Sequence, residues 1–351
     1  MTWDVALILG IDGIANGAVY LLAGIGLVLI FSVTRVVFVP FGDIAAFAAL
    51  TLAAFETDRL PPTIAMVAVL AVLAVLVEVG SLARRGEYAR IPRAVAFWGL
   101  LPAIPCLIAW MAARPDMPPA VHIAAAVLLV VPLAPLVARI VFQPIADASV
   151  LVLLIVSLAL HFLLSGLGLL FFGPEGSRTS PLASGSVTLG AGYTVSGQVI
   201  LMVASAIVLS ALFFLVFEHT VTGKALRATA VNRVGARLVG IRPARTALLA
   251  YGCASLLGGL IGVLIAPVTT MYYDSGFIIG LKAFVAAIIG GLVSYPLTAI
   301  GGLAVGIVES FASFWSGALK DVIVFSLLIP VLLLRSFLMV HAEEDDEEVD
   351  Q

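Results

Sequence analysis

The succession of long apolar runs constrains this chain more than any motif in it. A helix that crosses a bilayer needs about 20 mostly apolar residues. Runs of that kind fall near residues 5–33, 37–55, 62–80, 94–113, 120–138, 150–172, 197–217, 248–268, 281–294, 297–316 and 321–340. Their Ala, Leu and Val stretches lack the alternation of barrel strands, and lipid cannot satisfy an open sheet edge, so the expected fold is all-α. It is a polytopic transmembrane helix bundle with about eleven hydrophobic segments, surrounded by the lipid bilayer. Composition agrees, with 62% of residues hydrophobic and 11% charged, against about 25% charged in an ordinary soluble domain.

Two of the segments make poor simple spans. The 281–294 run is short and ends at Gly290-Gly291 before Pro296, and the 37–55 run opens with Pro40, Gly42 and Asp43. Both predict broken or half-crossing helices, whose freed backbone groups need protein or water partners. A kinked structural helix is the competing reading of each. Gly258, Gly259 and Gly262, and then Gly302 and Gly306, place small residues at turn spacing and predict close helix packing.

Charge sets the orientation. Residues 219–247 carry Lys224, Arg227, Arg233, Arg237, Arg242 and Arg245 and no acidic side chain, which puts this loop in the cytoplasm by the positive-inside rule. Counting spans from there places the Arg84, Arg85, Arg90 and Arg93 loop inside, and the N-terminus and the Gly- and Ser-rich stretch 173–196 outside. The acidic run in 342–351 becomes a solvated, disordered cytoplasmic tail. Between Thr222 and Ile241 the basic loop reads TGKALRATAVNRVGARLVGI, in which Leu226, Ala230, Val234 and Leu238 recur every four residues. On a helix over Gly223 to Gly240 they form a drifting apolar stripe beside Arg233 and Arg237, the shape of a partner-binding element. A purely topological anchor is the other reading.

Several chemistries are missing. Gly223-Lys224 is followed by Ala225, so there is no phosphate-binding Walker loop, and ATP hydrolysis and a cofactor of its own are not expected of this chain. His122, His161, His219 and His341 are scattered, no nucleophile elbow occurs, and no catalytic residue or metal site is expected. Cys106 and Cys253 lie in apolar runs and predict no disulfide, and nothing points to nucleic acid. What remains is buried charge. An ionisable group near the bilayer centre costs at least about 2.5–3.5 kcal/mol. Asp12, Asp43, Lys282 and Glu309 lie within apolar runs, and the last three either line a cavity or pair with one another. Glu78, Lys320 and Asp321 fall near predicted span ends, where snorkelling accounts for them.

Four blocks of residues carry a family resemblance: Asn16-Gly17-Ala18-Val19-Tyr20 with the run to Phe31; the Thr222 to Ile241 loop; Gly280-Leu281-Lys282-Ala283-Phe284-Val285-Ala286-Ala287-Ile288-Ile289-Gly290-Gly291 through Pro296 to Glu309-Ser310; and Lys320-Asp321-Val322-Ile323-Val324-Phe325. Together they resemble the membrane permeases of branched-chain amino-acid ABC importers. The resemblance implies a permease domain over 1–341, with a second related permease chain, two cytoplasmic ATPase subunits that bind the ATP, and an extracytoplasmic substrate-binding protein. It makes 218–247 the ATPase-coupling loop, with Gly223, Lys224, Arg227, Ala230, Asn232, Arg233, Val234, Arg237 and Gly240 as its candidate contacts. It places Asn16, Tyr20, Phe41, Asp43, Lys282 and Glu309 along the translocation path. Where such permeases commonly read Asn-Phe-Ala-His-Gly-Asp, this chain has Phe38-Val39-Pro40-Phe41-Gly42-Asp43, and extra hydrophobic segments lie within 62–138. Urea, short amides or sugars are the alternative cargoes, and a secondary transporter or channel without ATPase partners is the alternative class.

Overall fold

The computed structural model describes residues 3–189 and 193–333, so the acidic tail lies outside the described residues. Eight helices there are long and apolar enough to cross a membrane. They are α1 (Trp3–Thr34), α3 (Thr63–Arg84), α4 (Tyr88–Ala112), α5 (Pro119–Phe142), α6 (Val150–Phe172), α7 (Gly197–His219), α10 (Pro243–Ile265) and α12 (Tyr295–Trp315). The protein is an all-α polytopic bundle, but two of the eleven apolar runs form shorter helices, α2 (Phe41–Glu56) and α11 (Ser275–Ile289). The last run opens with α13 (Lys320–Ser326) and continues beyond the described residues.

The 16 residues of α2 rise about 24 Å at 1.5 Å each, short of the roughly 30 Å hydrocarbon core. Pro40, which donates no backbone hydrogen bond, precedes its first residue, and residues 35–38 enter the bundle without helical structure. The 281–294 run is in fact the second half of α11, which starts six residues earlier, at Ser275. Gly290 and Gly291 then turn the chain into α12, with Gly291 at φ 69°.

The inner helices approach to backbone contact. A Cβ on Gly306 of α12 would stand 2.2 Å from the Gly17 nitrogen of α1, and one on Gly302 2.4 Å from the Leu21 nitrogen. On α10, a Cβ on Gly262 would stand 2.0 Å from the Ala45 carbonyl oxygen of α2. Without a hydrophobic drive between helices in lipid, such close van der Waals packing is what holds them. α3, α4, α6 and α7 lie outside this core and present Leu, Val and Phe side chains outward.

The two ends of the bundle differ. At one end the 173–196 connection carries an antiparallel hairpin, Ser186–Leu189 with Tyr193–Ser196. Ser180 bonds the Glu56 carboxylate through its nitrogen and hydroxyl, and Gln198 Nε2 donates to the Leu264 carbonyl, which pins this segment over the ends of α2 and α10. At the other end lie two short helices, α8 (Val221–Val231) and α9 (Arg233–Leu238). Sequence periodicity predicts one helix over Gly223 to Gly240; the structure breaks it at Asn232. That residue adopts φ −149° and ψ 106°, and its side-chain oxygen accepts from the Val234 and Gly235 nitrogens. An Asn cap satisfies the free N–H groups of a new helix and so favours a fresh start over continuation.

Candidate functional site

Two charge clusters lie inside the bundle, buried except for the half-exposed Asp321. In the first, α1, α11, α12 and α13 bring together Tyr20, Lys282, Glu309 and Asp321. Lys282 Nζ donates to Glu309 Oε1 at 2.5 Å, and the Tyr20 hydroxyl donates to Glu309 Oε2 at 2.6 Å. Asp321 Oδ1 lies 2.9 Å from Lys282 Nζ, an ion pair without an aligned hydrogen bond. The ammonium also stands 5.7 Å from the centre of the Tyr20 ring, within reach of its negative face. One cation thus meets two carboxylates, with a phenol occupying the second oxygen of the more buried acid. Of the two readings open for Lys282 and Glu309, pairing is what the structure displays. Asp321 is part of that pairing and does not merely snorkel at a span end. Glu78 likewise pairs with Arg139 across α3 and α5.

The second cluster forms where two short helices start against each other. A Cβ on Gly42, near the N-terminus of α2, would stand 1.8 Å from the Gly276 carbonyl oxygen near the N-terminus of α11, so only glycine permits this approach. From there α2 runs to the hairpin end, where Glu56 is held by Ser180, and α11 runs to the end that carries α8. Asp43, fully buried in the first turn of α2, bonds His161 Nδ1 of α6 at 2.8 and 3.0 Å through its two oxygens. The imidazole stacks on Phe277 of α11 at 4.7 Å. A carboxylate in the first turn of a helix is favoured by the helix dipole, and here two helix N-termini converge on it. Discontinuous helices that meet inside a membrane recur at transport sites.

The remaining candidates fall as follows. Asn16 is half-buried, one turn before Tyr20 on α1. Phe41 is fully buried with its ring over Gly26, where an added Cβ would stand 2.5 Å from the ring, so in this conformation it fills the core and does not border an open channel. Phe38 packs beside it, edge-on to Tyr251 at 5.3 Å and to Phe142 at 5.9 Å. Phe38 and Phe41 therefore extend the apolar core up to Asp43. His161 escapes sequence reasoning as Asp43's partner; its one signal is a lone histidine in the middle of an apolar run.

The basic end is built differently. Gly223 of α8 must be glycine, because a Cβ there would stand 2.4 Å from the Phe217 carbonyl oxygen of α7. Leu226 is buried and Ala230 half-buried against the bundle. Val231, Val234, Leu238 and Val239 face outward, each at least 67% exposed. The expected stripe of Leu226, Ala230, Val234 and Leu238 thus does not share one face, because the break at Asn232 re-aims its second half. Lys224, Arg237 and Gly240 are exposed. Arg227 clasps Glu218, donating to Oε2 at 2.5 Å and to the backbone carbonyl at 3.1 Å, and Arg233 is half-buried with its Nε inward.

Comparison with known proteins follows the same lines. The family model described as branched-chain amino acid transport system / permease component matches residues 10–332. The high-affinity branched-chain amino acid transport system permease protein LivH of Escherichia coli (strain K12) is 31% identical over 204 residues, covering 56% of this chain and 66% of that protein. LivH of Salmonella typhimurium is 30% identical and BraD of Pseudomonas aeruginosa 28% identical, each over 204 residues with the same coverage. The chain spans about 66% of the length of these curated relatives. No solved structure matches it. A family model that runs through nearly every membrane helix, and through both charge clusters, establishes that this chain belongs to the family of branched-chain amino acid transport permease components.

Proposed function

We propose that the chain is one pore-forming half of an ABC importer for branched-chain or other small amino acids. A second related permease chain completes the pore. Of two cytoplasmic ATPase subunits, which bind the ATP, one docks on α8 and α9, and an extracytoplasmic binding protein delivers substrate at the hairpin end. The observation that carries this reading is the uncovered surface of Val231, Val234, Leu238 and Val239 beside Lys224 and Arg237. A mere anchor needs positive charge but no exposed apolar side chains, whereas a docking helix needs both. The substrate is a zwitterion, and an apolar passage with few polar groups suits transient passage better than tight charge pairing. Asp43–His161 and the Lys282–Glu309 network stand beside the meeting point of α2 and α11 and hold it in one arrangement.

Proteoliposomes test this directly. With the second permease, the ATPases, the binding protein and ATP, leucine should accumulate against its gradient, and the purified chain alone should move none. If the chain alone equilibrates leucine, or an ion gradient drives uptake without ATP, the channel or secondary-transporter reading replaces this one. If the full assembly accumulates urea, an amide or a sugar in preference to leucine, the cargo assignment falls and the coupling assignment stands.

A further inference from the structure

Between α4, α5 and α10 the bundle leaves an open groove of about 640 Å³, lined almost wholly by apolar side chains. Its origin lies in the sequence. α4 carries Pro102 and Pro105 and a stretch of wider helix over Ala96–Leu100, and α5 carries Pro132 and Pro135 and a similar stretch over Ala138–Phe142. Proline removes a helical hydrogen bond and bends the helix, so two bent helices cannot mesh along their full length. All four prolines line the resulting gap, with Trp98 at its floor.

We propose that this groove holds one acyl chain of an anionic phospholipid, with the lipid phosphate at Arg245. Three observations support that occupant. Arg245 lines the groove from the first turn of α10, at the end of the bundle that carries α8 and α9, and it is exposed. It forms no ion pair among the described residues. The groove follows α4 from Phe97 to Ile108, a rise of about 16 Å, which matches one leaflet of a hydrocarbon core roughly 30 Å thick. A transmembrane helix of a partner chain would need a groove running through both leaflets. An acyl chain needs only one, and its headgroup ends where the free cation stands.

Trp98 reports occupancy. A chain with Trp3→Phe, Trp110→Phe and Trp315→Phe keeps Trp98 as its single tryptophan, to be placed in phosphatidylcholine bilayers containing a small fraction of brominated lipid. Brominated phosphatidylglycerol should quench Trp98 at a mole fraction about fivefold lower than brominated phosphatidylcholine, the effect of one cation near a headgroup. Arg245→Gln should bring the two lipids to parity, while Arg93→Gln leaves the preference intact. Ile104→Phe, which narrows the groove, should reduce quenching by both. Equal quenching by the two lipids in the parent, or a preference that survives Arg245→Gln, overturns the proposal. So does absence of quenching with a cysteine at Ile104 cross-linking to the second permease chain, which would make the occupant a protein.

Discussion

The charges inside the bundle and the charges on α8 and α9 obey opposite rules. Inside, the ammonium of Lys282 meets Glu309 and Asp321, and Asp43 meets His161. At the basic end, Lys224 and Arg237 are exposed, and the Arg227–Glu218 pair is nearly half-exposed on both sides. Removing one member of a buried pair strands the other where no water can solvate it, whereas removing an exposed charge costs the fold almost nothing. Buried charge here serves the arrangement of the helices. Exposed charge beside exposed valine and leucine is available to a partner.

The largest effect expected from this contrast is at Lys282. Lys282→Met should destabilise the protein by about 3–5 kcal/mol, because Glu309 is left buried and unpaired. Adding Glu309→Gln should recover most of the loss. Unfolding of the detergent-solubilised protein reads both, and a single variant within about 1 kcal/mol of the parent would mean that the network does not shield its charges.

Two glycines on α1 sharpen the same division without any charge. Gly17 touches α12, where an added Cβ would stand 2.8 Å from the Leu303 Cα, and nothing lies within 4 Å of a Cβ at Gly10. Gly17→Ala should therefore cost about 1–3 kcal/mol by forcing the helices apart. Gly10→Ala should be neutral or stabilise by up to about 1 kcal/mol, since alanine is the better helix former. Equal effects at the two positions would deny that α1 and α12 are held by backbone approach. Smaller still is Arg227→Gln, expected to change stability by no more than about 1 kcal/mol. A larger shift in the same unfolding assay would show that α8 is locked to α7 through Glu218.

The spans were legible where run length alone decides. All eight membrane-length helices coincide with apolar runs, because lipid leaves a long apolar segment no other way to satisfy its backbone. Run length misplaced α11, whose first residues, Ser275-Gly276-Phe277, lie among polar and aromatic neighbours that read as a loop. Protein contacts at Gly42, and not hydropathy, fix that start. Proline at position 40 announced the irregular entry to α2. The break at Asn232 was masked by the Ala-rich period on either side, although asparagine is a strong start signal once the second helix is considered separately. Pairing was legible only as one of two readings for Lys282 and Glu309, and the other partners were not legible. Asp43 and His161 are 118 residues apart, and Asp321 reaches Lys282 only because α13 packs beside α11 and α12. Sequence distance carries no trace of such contacts, and a lone charge in an apolar run states only that a partner must exist.

On the proposed function, docking of an ATPase on α8 and α9 would be independent of the fold's stability. Arg237→Glu with Leu238→Asp changes two exposed side chains and no buried one. The measurement is the amount of ATPase subunit that co-purifies with the permease from membranes holding the whole complex, alongside the permease's unfolding midpoint. The expected result is at least about a tenfold loss of bound ATPase, or 1.4 kcal/mol of interface, with the midpoint unchanged. ATPase retained at the parent ratio would contradict the account, because the exposed apolar and basic surface would then not be where the partner binds.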